Sequence, residues 1–339
     1  MYNFKEVDDY LAEYFNFFDI NCISIMISHN GEVVYDHTKV SSDKKEYKIC
    51  NSYTNFNVGE ISQIYVGILL LKLIEDGIVS VDEKITDYIP EFYHKDVRII
   101  DLLTDTTGLD LSGLKLLEQS KNAKDYLNKL YSEISSLKVN IGKYSPDFFF
   151  KYFVMCDLIE HITKESVNEY ANEVFFPQLN LKRTAFSIEN LTYNNAMMLC
   201  DMDNNFIDNT NSITNECVYT TTTELLKIGE IFSNYKSNQI NNILSKSSFK
   251  YALLQSCYEN DGVYISTPVF KTKGNVDRYN MFAELSSPKT YGEMSSTGCC
   301  LSIDVENNIV IAITSNSTKL GTNKFHLKRI INKIMSMID

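Results

Sequence analysis

Two β-hairpin signals stand near opposite ends of the chain, and neither is stable alone; one sheet must take both. The first is "CISIMIS", "HNGE" and "VVYDHTK" (22–39), two β-prone runs around an Asn-Gly turn. The second is "CCLSIDVE", "NN" and "IVIAITSN" (299–316). The closing "KFHLKRIINKIMSMI" (324–338) spaces its apolar residues for a helix that covers a sheet face. The opening "MYNFKEVDDYLAEYFNFF" reads as an amphipathic surface helix. Strands and helices supplied by both ends leave the middle as an insertion.

The expected fold is therefore α+β, an α/β sandwich. An antiparallel sheet of about five or more strands is flanked by the N- and C-terminal helices and carries a large, mostly helical inserted sub-domain. The whole chain, 1–339, is one domain, with residues 1–79 plus 250–339 forming the sheet part and residues 80–249 the helical part. Within the helical part, Thr221, Thr222 and Thr223 followed by Glu224 signal a helix start. The polar "DMDNNFIDNTNSITNE" (201–216) reads as a long surface loop.

A net charge of −12 with no basic face argues against nucleic acid and anionic membranes as partners. The longest apolar run, "IYVGILLL" (64–71), is too short to cross a bilayer, and the start lacks a signal-peptide pattern. A cytoplasmic location is the expectation. Eight cysteines without a Cys-x-x-Cys pair and five scattered histidines signal neither a zinc site nor a disulfide framework, so no metal and no cofactor are expected.

The segment "FNVGEISQIYVGILLLKLIEDGIVSVDEKI" (56–85) is a glycine turn entering a buried helix, the usual seat of a catalytic nucleophile. Together with "VRIIDLLTDTTGL" (97–109), "YFVMCDLIEHITKESVNEYANEVFFPQLNLKRTAF" (152–186), "VYTTTTELLKIG" (218–229) and "YGEMSSTGCCLSIDVENNIVIAITSN" (291–316), it resembles the serine β-lactamase and penicillin-binding-protein superfamily, in its class C β-lactamase-related branch. The resemblance runs over nearly the whole chain. It implies a Ser-x-x-Lys motif after Gly59, a Tyr-x-Asn motif before Tyr152 and a His-x-Gly or Lys-Thr-Gly triplet before Thr297.

None of these motifs is present. The Ser-x-x-Lys position holds Glu60 and Gln63, the Tyr-x-Asn position holds Asp147 and Phe149, and the last triplet begins at Glu293 and ends at Ser295. Tyr144 would come near only with a shift of one or two residues in the alignment. Ser62 lies two residues past Glu60, roughly 200° around a helix, and points elsewhere. A serine hydroxyl attacks only after a base takes its proton, and an amide such as Gln63 cannot do so. Removing such a nucleophile alone has cost a serine hydrolase roughly a millionfold in turnover. The resemblance thus implies the fold of a hydrolase without its catalytic residues.

The expected function is a catalytically inactive homologue acting as a binding or regulatory module, for an unidentified small molecule or protein. Its ligand-binding positions would be Glu60, Ser62, Gln63, Tyr144, Asp147, Phe149, Glu293 and Ser295. The resemblance turns Glu60, Asp147 and Glu293 toward one cleft, where their mutual repulsion would favour a bound cation or amine. Two alternatives stay open: a serine hydrolase of esterase, peptidase or β-lactamase type with a displaced nucleophile, and carboxylate-based acid/base chemistry. Strand alternation places one of Cys299 and Cys300 toward the cleft and the other toward a helix layer. His161 reads as a surface or satisfied core side chain, and Asp201 as an organiser of its loop.

Overall fold

The computed structural model describes residues 2–18, 20–41, 50–111, 113–193, 195–203, 205–207, 213–233, 243–254, 257–258, 265–274 and 281–338. Its frame is an antiparallel sheet of eight described strands: β1 (Cys22–His29), β2 (Glu32–Val40), β5 (Cys257–Tyr258), β6 (Ile265–Ser266), β7 (Lys271–Thr272), β8 (Thr290–Met294), β9 (Cys300–Asp304) and β10 (Ile309–Ser315), ordered β2-β1-β10-β9-β8-β7-β6-β5. A separate two-stranded ladder joins β3 (Phe56–Asn57) to β4 (Tyr219–Thr220).

Both predicted hairpins form. Asn30 and Gly31 turn β1 into β2 with φ of 55° and 82°, the left-handed pair that a two-residue hairpin loop needs. The strands from the two chain ends are direct neighbours, with Ile25 opposite Ile313.

Period-two alternation divides the core between the two faces of the sheet. Ile23, Ile25 and Ile27 of β1 join Ile309, Ile311 and Ile313 beneath α1 (Lys5–Phe18) and the C-terminal helix Phe325–Met335. Val7, Leu11, Tyr14 and Phe15 give α1 its buried stripe. On the other face, Met26, Leu301, Ile303, Val310 and Ala312 enter the larger core with α2 (Ser62–Glu75) and α3 (Phe148–Thr163). Nearly all of α2 is buried, as expected of a helix that is apolar all round.

The helix Thr222–Ser233, α4, starts where the threonine run predicts, with Thr221 Oγ1 accepting from the Glu224 amide at 3.1 Å. Its position differs from the sequence-based division of the chain, because it lies against β10, β9 and β1 of the sheet part. Gly229 allows this approach, since a Cβ there would stand 2.3 Å from Val310 Cγ1. The C-terminal helix completes the set as α5. Of the loop 201–216, residues 204 and 208–212 lie outside the described residues, and Ile213–Glu216 forms a 3-10 turn. Among the described residues, no helix is long and apolar enough to cross a membrane.

Candidate functional site

Strand β3 delivers the chain to the site. Asn57 holds the turn by donating from Nδ2 to the Thr214 carbonyl at 2.7 Å and accepting from the Gly59 amide at 2.9 Å. Gly59 then adopts φ +49°, and a Cβ there would lie 2.3 Å from Ser295 Oγ. Left-handed backbone and close approach together require glycine at this point. A 3-10 turn, Gly59–Ile61, leads into α2.

Glu60 is half-buried, and one oxygen, Oε2, accepts three hydrogen bonds from the β8–β9 turn: Ser295 Oγ at 2.8 Å, the Ser296 amide at 2.9 Å and Ser296 Oγ at 3.0 Å. Ser295 is fully buried and also accepts from the Thr297 amide at 3.1 Å. Ser296 is exposed.

Behind this contact lies a buried polar network. Gln63 Nε2 donates to Glu293 Oε2 at 2.7 Å, and Lys271 Nζ stands 3.2 Å from that same oxygen. The Met294 amide donates to Glu293 Oε1 at 3.0 Å. Burial opposes the Lys271 charge, yet the carboxylates of Glu293, Asp105 and Glu60 outweigh it and hold the lysine pKa above its ordinary value. A second buried ion pair joins Lys151 Nζ to Asp105 Oδ2 at 3.3 Å, with the lysine also donating to the Leu103 carbonyl at 2.7 Å.

The three carboxylates therefore have different hydrogen-bond partners. Asp147 caps α3 by accepting from the Phe150 amide at 3.0 Å, and burial, reinforced by Asp105, raises its pKa. Glu293 is committed to Lys271 and Gln63. Only Glu60 of the three lines the adjoining cavity, which measures about 340 Å³. Phe148, Phe149, Leu199 and Ile207 supply its apolar walls, and Ser296 and Thr297 part of its rim.

Of the eight positions singled out in the sequence, Glu60 and Phe149 line this cavity. Ser62 is buried and its Oγ accepts from the Val218 amide at 2.9 Å, so it anchors α2. Gln63, Glu293 and Ser295 are buried behind the wall, and Tyr144 and Asp147 are half-buried outside it. Sequence reasoning missed Lys271, Ser296 and Asp105. Ser296 adjoins a singled-out position, whereas nothing in the sequence near Lys271 marks it. Among the described residues, no group of three or more His, Cys, Asp or Glu side chains is placed to hold a metal ion.

The family model for Beta-lactamase matches residues 9–334. The chain belongs to the beta-lactamase family. Among solved structures, it is similar to "EstCE1, a hydrolase with promiscuous acyltransferase activity" (TM-score 0.77, 14% identity, covering 98% of this chain and 97% of the other). It is also similar to a class C beta lactamase from Rhodobacter sphaeroides (TM-score 0.74, 14% identity, covering 98% and 99%). Identities this low speak to the fold alone. Among curated proteins, protein flp of Staphylococcus aureus (strain MW2) is 23% identical over 176 residues, covering 49% of this chain and 35% of flp. The match thus spans about a third of that relative's length.

Proposed function

We propose that this beta-lactamase family member is a binding or regulatory module that forms no acyl adduct. The observation that carries this reading is the three-bonded Glu60 carboxylate at the entrance of α2. A carboxylate there offers no hydroxyl to acylate, and its partners close the β8–β9 turn over the helix start.

The pairing of Gln63, Lys271 and Lys151 supports the same reading. Gln63 spends its amide on Glu293. Lys271 is held as an ammonium by the carboxylates around it, and an ammonium has no lone pair with which to take a proton. Lys151 is paired to Asp105.

One observation favours a second reading, a hydrolase with a displaced nucleophile: the exposed Ser296 Oγ donates to Glu60 at 3.0 Å on the cavity rim. Hydroxyl and carboxylate are within proton-transfer distance there. Incubation with a fluorescent penicillin and with a fluorophosphonate, followed by intact-mass measurement, separates the two. An unchanged mass is expected. An adduct on any side chain overturns the first reading, and one that disappears in Ser296→Ala establishes the second.

A further inference from the structure

The geometry points to a specific ligand class for the cavity beside Glu60: we propose that it takes a cationic amine carried on an aromatic or apolar body. This deepens the binding reading above and rests on it.

Volume sets the first limit. About 340 Å³ lies at the small end of ligand pockets, enough for a single ring with a short side chain. The walls set the second. Phe148 and Phe149 are half-buried, with ring centroids 4.8 Å apart and planes inclined at 57°. Leu199 and Ile207 continue the apolar lining. An aromatic or aliphatic body buries against these groups, and a cation over a ring face gains a further attraction.

Charge sets the third. Glu60 is the only carboxylate among the described lining residues, and none of those residues is a lysine, arginine or histidine. The three hydrogen bonds from the β8–β9 turn all fall on Oε2, and no described residue donates to Oε1. A carboxylate oxygen beside apolar walls is an acceptor for a charge-assisted N–H bond, and it repels a carboxylate ligand. Lys271, whose charge reaches Glu60, is already committed to Glu293 at 3.2 Å and does not turn the site toward anions.

Isothermal titration of the full chain with 2-phenylethylamine, 2-phenylethanol and 3-phenylpropanoate tests the assignment with three ligands of similar shape and different charge. The amine is expected to bind about tenfold more tightly than the alcohol, and the propanoate more weakly than both. Glu60→Gln should bring the amine down to the affinity of the alcohol. Phe149→Ala should weaken amine and alcohol alike. Equal affinities for the three, a preference for the propanoate, no binding of any of them, or amine binding unchanged in Glu60→Gln would each overturn the proposal. If Glu60→Gln does not fold, the order of the three ligands on the unaltered chain decides alone. None of these outcomes bears on adduct formation, which the penicillin and fluorophosphonate labelling decides separately.

Discussion

Gln63 and Glu293 meet at 2.7 Å, tying the start of α2 to β8 across 230 positions of sequence. Lys271 completes the trio from β7. Together they make the wall behind the candidate site an element of stability.

Breaking that trio has a stated cost. Glu293→Gln leaves the Lys271 ammonium without its carboxylate and should lower unfolding free energy by about 2 kcal/mol, below the range for a fully buried pair because 17% of the Lys271 side chain is exposed. Adding Lys271→Met should recover more than half of the loss, since an apolar replacement removes the ammonium that has lost its nearest carboxylate. Urea unfolding of the single and double variants at pH 7 reads both values.

Asp147 should give the protein a pH-dependent weakness. Its pKa is raised in the folded state, chiefly by burial, so its contribution is fully present below the ordinary aspartate pKa and is lost as pH rises through the folded value. Asparagine keeps the helix cap and carries no charge. Relative to the unaltered protein, Asp147→Asn should therefore gain stability between about pH 3 and pH 7, with no difference at the acid end. Chemical unfolding at the two pH values checks the sign.

Gly59→Ala should destabilise by about 2 kcal/mol, because alanine must hold a left-handed backbone and its Cβ meets Ser295 Oγ. The same collision pushes the β8–β9 turn away from Glu60, so cavity ligands should lose affinity along with the fall in Tm. Calorimetry and titration on one preparation measure the pair.

The thiols should divide sharply in reactivity. Burial pushes Cys299 up to about 11 and raises Cys300 and Cys217 as well, whereas the neighbouring Cys22 thiol lowers Cys50 by hydrogen bonding to it. Iodoacetamide at pH 8 under native conditions should modify Cys50 first and leave Cys299, Cys300 and Cys217 intact. Peptide mass mapping before and after denaturation gives the order.

The frame of the molecule was legible because its signals are local. Asn30-Gly31 dictates a hairpin, the apolar spacing of 324–338 dictates a covering helix, and alternation sends Cys299 and Cys300 to opposite faces. Cys299 enters the helical core and neither thiol lines the cavity, contrary to the expectation that one would face the cleft. The site was legible only in part, because its partnerships are long-range. Like charges at Glu60, Asp147 and Glu293 suggested convergence, but a lysine from β7 and a helix N-terminus give two of them separate partners. Nothing in the residues around Lys271 announces that role. The placement of α4 on the sheet was hidden for a similar reason, since it depends on Gly229 meeting Val310 from a distant strand.

The adjacency of β1 and β10 also governs how the chain is born. Ser315 Oγ bonds the Cys22 carbonyl across 293 positions, so on a ribosome the inner edge of β1 waits for 293 further residues before its partner is made. At roughly 5–20 residues per second, that interval is on the order of 15–60 s, during which the apolar inner edge of β1 has no native neighbour. An unpaired apolar edge is open to pairing with other chains for that interval, and strand order alone imposes the exposure.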